Sequence, residues 1–484
     1  MSNQISYALL TDLYELTMMQ GYFFTDAKKD AVFDMFFRRQ PFDGGFSVFA
    51  GLDPLLDAIE SLRFSAEDIE YLDQQQIFKP EFLKFLADFT FKGDIHAVSE
   101  GSVVFPNEPL LRVHGNIMEA QLLETMLLNT VNFQTLIATK AARVKDAAGS
   151  DAIMEFGLRR AQGENGAVSG ARGAFIGGAD ATSNVLAGKR YNIPIAGTMA
   201  HGWIMNFNTE LEAFQAYADL YPENCILLVD TFDTLKSGVP NAIEIFKQLQ
   251  QKGIHKFGIR LDSGDLYYLS KEARKIFDQS GVPEAKIYVS NELDEWVITQ
   301  LKKDNAPIDA WGVGTRLITG DKDPALSGVY KIVARRENGA FIPTIKISDN
   351  PEKTSNPGIK NVMRFTDRDG KILADLLYLE EERDELMEKL SHKETIRLYH
   401  PSVDYSHFDL EDYHQFTPLL QPVMENGKRL HPPKPLNEIK AAAAAGVSSL
   451  WSGNKRLVNP QIYKVSLTDR LKQLKYTMIK DYRP

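Results

Sequence analysis

The chain of 484 residues contains one cysteine, Cys225, which leaves no partner for an internal disulfide and no set of thiolates for a cysteine-built zinc site. It has no apolar run near the roughly 20 residues that a membrane-spanning helix needs. The opening MSNQISYALLTDLYELTMMQ lacks a basic segment followed by a continuous apolar core, so no signal peptide is read there. Positive charge is not in excess: 65 acidic against 55 basic residues give a net charge of −10. That balance argues against nucleic acid or an anionic membrane as partner, while permitting a local basic pocket for phosphates. A soluble, cytoplasmic chain is expected. The histidines at 392, 400, 407, 414 and 431 match no compact metal-binding spacing.

What is present is an ordinary globular composition, 44% hydrophobic and 25% charged, long enough for two or three domains. Helical spacing over residues 6–24 puts Leu9, Leu13 and Leu16 on one face, with Tyr14 among the polar positions; alone, this reads as an amphipathic helix. A strand at Ala31–Phe37 runs into Arg38, Arg39 and a Gly-rich turn, a pair of cations able to hold an anion or simply to be solvated. Helices are predicted at 51–63, 66–75, 79–88 and 116–146, the last carrying Lys140 and Arg143 on one side. The early part is therefore α+β.

From about residue 150 the pattern becomes α/β. Apolar runs at 152–156, 193–197, 225–230, 256–262, 286–290 and 308–313 are separated by helical stretches at 209–220, 239–252, 265–280 and 294–303. Such alternation predicts parallel strands with covering helices, closed into a barrel or open and doubly wound. At nearly every strand end the chain turns polar: Glu155 and Arg159, Thr198 and His201, Asp230, Arg260 and Asp262, Ser290 and Asn291, Gly314 and Thr315. In a parallel barrel those ends share one face, where ligands bind. After 320 come hairpin-like strands, a charged run at 380–389 read as a solvated face, and a tail ending in a basic amphipathic helix over 468–480.

The strand ends suggest phosphate and sugar chemistry. In WGVGTRL, exposed N–H groups and the Thr315 hydroxyl can receive a phosphate. In RLDSGDL, Asp262 and Asp265 are candidates for ribose hydroxyls or a phosphate-bound Mg²⁺, with a helix N-cap the competing reading for Asp265. EFGLRRAQG offers Arg159 and Arg160 as a pyrophosphate clamp. In IPIAGTMAHGW, small residues lead to His201, the side chain able to change charge near neutrality, although an isolated histidine at a strand end is more often structural.

The series TDLYELTM, FFRRQPFDGG, EPLLRV, QLLET with ATKAAR, EFGLRRAQG, GTMAHGW, FDTLKSGV, RLDSGDL, SNELDE, GVGT and SGVYKIV resembles, in order and spacing, the nicotinate phosphoribosyltransferases, from about residue 7 to 365. The resemblance implies an irregular α/β (TIM-like) barrel over 149–327 and an N-terminal open-faced sandwich domain over 1–148, completed by about 328–400, with 401–484 as a C-terminal extension. It implies the reaction of nicotinate, 5-phosphoribosyl 1-diphosphate, ATP and water to nicotinate mononucleotide, diphosphate, ADP and phosphate, in NAD biosynthesis, by a homodimer with shared sites. Carried over by motif, His201 is phosphorylated by ATP, and Tyr14 (from the neighbouring subunit), Thr198 and Arg260 contact nicotinate. Gly314 and Thr315 then take the 5′-phosphate. Arg159 with Mg²⁺ holds the departing diphosphate, Asp230 and Asp262 stabilise the oxocarbenium-like centre, and Arg38, Lys140 and Arg143 are candidate pyrophosphate or partner-subunit contacts. Gly202 departs from the family pattern, which often has Ser there. The alternatives are a nicotinamide-specific phosphoribosyltransferase, and a barrel lyase or isomerase acting on a sugar phosphate; the latter would want a lysine at a strand end, and the strand ends named above carry none.

Overall fold

The computed structural model describes residues 7–25, 29–350, 353–403 and 405–482. The chain divides into two compact units, one running to Leu136 and resuming at Ala325, the other covering Ile137–Pro324.

The first unit is built on a seven-stranded sheet in the order Ala340–Pro343, Gly328–Glu337, Asp30–Phe37, Leu111–Asn116, Asp94–Ala97, Gln421–Glu425 and Lys428–Arg429. Alternation in Asp30–Phe37 sends Phe33, Met35 and Phe37 into the main core, where the ring of Phe33 stacks on Tyr330 at 4.8 Å. The helices Leu52–Glu60, Ala66–Gln74 and Pro80–Ala87 cover that side with Leu55, Leu56, Leu72, Phe82 and Leu86. The opposite face carries Val32 with Val333 and Ala334, together with the ion pairs Asp34–Lys360 at 2.7 Å and Arg112–Glu380 at 3.0 Å.

A second, six-stranded sheet runs His407–Leu410, Ile396–Tyr399, Val465–Leu467, Ile372–Leu379, Lys360–Thr366 and Gln415–Pro418. Residues 401–484, expected as an extension, thus supply strands to both sheets, and the terminal helix Asp469–Tyr482 buries Leu471 beside Val362, Leu377 and Leu467. The charged run at 380–389 is not uniformly solvated. Glu380 pairs with Arg112, and Glu382 accepts from Leu379 N and Thr468 Oγ1, each at 2.8 Å.

The second unit is the α/β part, with a wholly parallel six-stranded sheet in the order Ala181–Thr182, Ala152–Glu155, Ala310–Val313, Lys286–Val289, Phe257–Leu261 and Cys225–Leu228. Five of the six predicted strands and all four predicted helices fall within two residues of their expected bounds. The exception is informative. The run at 193–197 forms no strand: Ile195 makes an isolated bridge to Thr182, because Pro194 has no N–H to continue a ladder. The short strand Ala181–Thr182 takes the edge position instead. Among the described residues no ladder joins the two edges of this sheet, so the strands form an open array.

The covering helices bury regularly spaced apolar positions, such as Ala242, Ile245, Phe246 and Leu249 of Val239–Gln251, with Phe246 stacked on Phe257 at 4.5 Å. Thr209, Asp265 and Asp294 cap the helices that follow them. Cys225 is fully buried in the edge strand, and burial pushes its thiol up to about 12, so it remains protonated and unreactive. No helix among the described residues is long and apolar enough to cross a membrane.

Candidate active site

Parallel strands bring their carboxyl ends to one edge of a sheet, and here those ends surround a cavity of about 450 Å³. Its wall includes Arg159 and Arg160 beyond the first strand, Thr198 and Met199, Arg260 and Asp262, Ser290, Asn291 and Glu292, and Gly312, Gly314 and Thr315. Two features of the backbone shape it. Gly312 lies against Phe156, and a Cβ at Gly312 would come within 2.6 Å of that ring. Asn291 takes a positive φ of 90° at the end of its strand, a conformation that Asn tolerates better than most residues.

Arg260 is the chief cation of the cavity. Its Nη1 donates to Thr198 Oγ1 at 2.8 Å and its Nη2 to the Met199 carbonyl at 3.1 Å. Both acceptors are neutral, and Nε is buried with no hydrogen-bond partner among the described residues. Burial pulls the guanidinium below its usual value, partly offset by the carboxylates of Asp262 and Asp230. Arginine nonetheless stays charged. The site therefore presents a partly desolvated positive charge held in place by a hydroxyl and a carbonyl.

The acids are arranged as a chain of contacts. Asp230 Oδ2 accepts from Asp262 N at 2.8 Å and from Ser263 Oγ at 2.6 Å, fixing the turn that carries Asp262. Asp262 Oδ1 accepts from Ser290 Oγ at 2.5 Å, while its Oδ2 faces His201 Nε2 at 3.8 Å. His201 opens the short helix His201–Met205, which Trp203 anchors by donating from Nε1 to the Ala213 carbonyl at 3.1 Å. Its Nδ1 lies 3.0 Å from Thr231 Oγ1. Glu155, at the end of the first strand, receives Thr182 Oγ1 and Gly157 N; burial raises its carboxyl, and these two donors moderate the rise.

Among the residues named from sequence, Arg159, Thr198, Arg260, Asp262, Gly314 and Thr315 line this cavity. His201 and Asp230 are not among the lining residues but adjoin Asp262, which is. Three expectations need correction. Asp265 does not face a ligand: Oδ1 accepts from Tyr267 N and Tyr268 N as the cap of helix Leu266–Ser280. Lys140 and Arg143 are buried, and both are held by Glu295, at 2.7 and 2.9 Å. Asp321 also approaches Lys140 Nζ at 4.0 Å, so both buried cations are engaged by carboxylates of their own unit, which makes them structural.

Arg38 and Tyr14 belong to the first unit. The Arg38 backbone N–H donates to Ser327, and the side chain's Nε is buried with no hydrogen-bond partner among the described residues. Tyr14 is 46% exposed, and its phenol is raised by burial and by Glu124 and Glu15. Sequence reasoning passed over Thr231, Ser183, Glu292 and Phe156. For Thr231 a signal existed, since it directly follows Asp230 at a strand end.

Comparison with known proteins shows the family to which the chain is similar. Residues 9–132 match the nicotinate phosphoribosyltransferase (NAPRTase) N-terminal domain, 152–382 the NAPRTase family model, and 359–475 the C-terminal domain. Nicotinate phosphoribosyltransferase of Bacillus subtilis (strain 168) is 42% identical over 475 residues, covering 96% of this chain and 93% of the relative. That of Caenorhabditis elegans is 37% identical over 533 residues, covering 97% and 93%. The crystal structure of human nicotinic acid phosphoribosyltransferase superposes with a TM-score of 0.84 at 31% identity, covering 97% of this chain and 100% of that one. A nicotinate-nucleotide pyrophosphorylase from Pyrococcus furiosus, 22% identical, shares the fold at a TM-score of 0.70 over 93% of this chain and 97% of that one. With matches that run nearly from end to end, the chain belongs to the nicotinate phosphoribosyltransferase family.

Proposed function

We propose that this cavity transfers the phosphoribosyl group of 5-phosphoribosyl 1-diphosphate to nicotinate, with ATP hydrolysis coupled through His201. The observation that carries the reading is Arg260: a cation at the cavity wall whose hydrogen bonds go to neutral oxygens, beside the Thr198 hydroxyl. Such a group favours a carboxylate ligand over a neutral amide, and so nicotinate over nicotinamide. A Schiff-base lyase is disfavoured because no described residue of the lining is a lysine.

In the proposed reaction Thr315 and the adjacent backbone take the 5′-phosphate, while Arg159 takes the diphosphate. The ring nitrogen of nicotinate attacks the anomeric carbon as the bond to diphosphate breaks, and the diphosphate leaves with that electron pair. The positive charge that develops on the sugar lies near Asp262, whose orientation Ser290 and the Asp230-anchored turn hold in advance. The imidazole of His201, on the other side of Asp262, takes a phosphoryl group from ATP and later yields it to water. Tyr14 would reach a site of the partner subunit in a homodimer, and the barrel expected from sequence would be completed beyond the ladders of the open sheet. The compartment is read as cytoplasmic.

A resident metal does not fit these residues. Asp262 is engaged by Ser290 and faces His201, Asp265 is a helix cap, and no group of three or more His, Cys, Asp or Glu among the described residues could hold an ion. Mg²⁺ is accordingly read as arriving with the phosphates of the substrates. The test is to incubate the protein with phosphoribosyl pyrophosphate, Mg²⁺ and either nicotinate or nicotinamide, with and without ATP, and to measure mononucleotide and diphosphate. Product from nicotinate, raised by ATP, is expected; product from nicotinamide alone would overturn the base assignment. In His201→Ala, ATP hydrolysis is expected to disappear while slow, ATP-independent mononucleotide formation remains.

A further inference from the structure

We propose that Thr231 is the positioning residue for His201, its hydroxyl keeping the imidazole in place while the ring's protons change during phosphorylation and dephosphorylation. This rests on the reading of His201 as the phosphoryl acceptor. Among the described residues, Thr231 Oγ1 is the group within hydrogen-bonding distance of the ring, 3.0 Å from Nδ1. Asp262 Oδ2 faces the other nitrogen at 3.8 Å, too far for a hydrogen bond, and the second oxygen of Asp262 is taken by Ser290. The Asp262 carboxylate thus sets the electrostatic surroundings of the ring, and Thr231 sets its orientation. Thr231 is itself well placed, since the preceding residue, Asp230, is tied to Asp262 N and Ser263 Oγ.

A hydroxyl suits this task because it both donates and accepts. It accepts from Nδ1–H when that nitrogen is protonated and donates to Nδ1 when it is bare. In the step served, the unshared pair of an imidazole nitrogen forms an N–P bond while the P–O bond to the β-phosphate breaks. ADP leaves with that electron pair, and a ring proton is released. When water attacks phosphorus, the N–P pair returns to the ring, which regains its proton, and inorganic phosphate departs. A carbonyl or a carboxylate could serve only the protonated state of Nδ1; the threonine hydroxyl serves both.

The test compares Thr231→Val, which keeps the shape, with Thr231→Ser, which keeps the hydroxyl. Thr231→Val is expected to lower ATP-stimulated kcat about three- to tenfold, the loss of one hydrogen bond. The KM for nicotinate and the slow ATP-independent rate should stay unchanged, and Thr231→Ser should restore most of the stimulation. Nitrogen NMR of the histidine side chains, with the His201 signals assigned by their absence in His201→Gln, should show the Nδ1 signal displaced in Thr231→Val and near its original position in Thr231→Ser. Wild-type turnover that ignores ATP overturns the functional reading and this proposal with it. An intact ATP response in the wild type, together with a Thr231→Val variant unchanged in kcat and ring signals, overturns this proposal alone. So does a Thr231→Ser variant as impaired as Thr231→Val.

Discussion

Two partly buried arginines, one in each unit, are solvated by the protein in opposite ways. In the antiparallel unit, Arg364 donates from Nε and Nη2 to Asp375 and from Nη1 to the Val103 carbonyl, with Tyr463 adding a hydrogen bond to Asp375 at 3.0 Å. The guanidinium is driven above its usual value because Asp375 outweighs the cost of burial. In the parallel unit, Arg260 is held by a hydroxyl and a carbonyl, and burial wins, lowering it. A cation matched to a carboxylate inside the fold is committed to structure. One positioned by neutral groups at a cavity wall has no carboxylate hydrogen-bonded to it among the described residues and can receive an anion.

Substitution should separate the two sharply. Arg364→Ala leaves Asp375 buried and unpaired, and is expected to destabilise the chain by about 3–5 kcal/mol, measured as a lowered urea midpoint. Arg260→Ala should give the reverse profile. Its unfolding midpoint should shift little, while kcat/KM for nicotinate falls about a hundredfold, the equivalent of about 2–3 kcal/mol for a charged hydrogen bond. If Arg260→Ala loses stability as Arg364→Ala does while keeping its affinity for nicotinate, the contrast between them is wrong.

The surroundings of Arg364 also offer a pH test with no counterpart around Arg260. Glu108 is raised well above the usual carboxylate value by burial first, then by repulsion from and hydrogen bonding to Asp375; Arg364 and the Phe105 N–H oppose the shift. A group whose folded value exceeds its unfolded value of about 4.3 contributes stability that is complete below that value and lost as pH rises through the folded one. Glu108→Gln keeps an uncharged side chain at all pH values. Urea midpoints measured from pH 4 upward should therefore fall more steeply with pH for the wild type than for Glu108→Gln. Equal slopes would mean that Glu108 is ionised in the fold.

The same division governs how much was legible in the sequence. The parallel strands were readable because each is a short apolar run flanked by helical periodicity, and their polar ends named most of the cavity wall. Sequence spacing could not show that Lys140 and Arg143, three residues apart on one helix side, meet Glu295 about 150 positions later. The tail was equally opaque: Gln421–Glu425 finds its partner strand in Asp94–Ala97, and its alternation is too weak to announce an edge. The run at 193–197 was misread because its apolar content suggests a strand while Pro194 limits it to a bridge. Thr231 was missed for a different reason, since a hydroxyl at a strand end looks like an ordinary turn residue until the histidine beside it is seen.

The smallest expected effect tests how much of the site depends on close packing. Gly312 and Gly202 belong to motifs of the same unit, yet a Cβ at Gly312 would press into Phe156 at 2.6 Å, whereas one at Gly202 meets nothing within 4 Å. The φ of Gly202 also lies outside the left-handed region, so a side chain is allowed there. Gly312→Ala should therefore cost about 1–3 kcal/mol by overpacking the cavity wall. Gly202→Ser should stay within about 0.5 kcal/mol of the wild type, with ATP-stimulated turnover preserved. Such a result would make the glycine after His201 a tolerated departure from the family pattern, because the ring is held by Thr231 and the Trp203 anchor, neither of which needs a missing side chain at position 202.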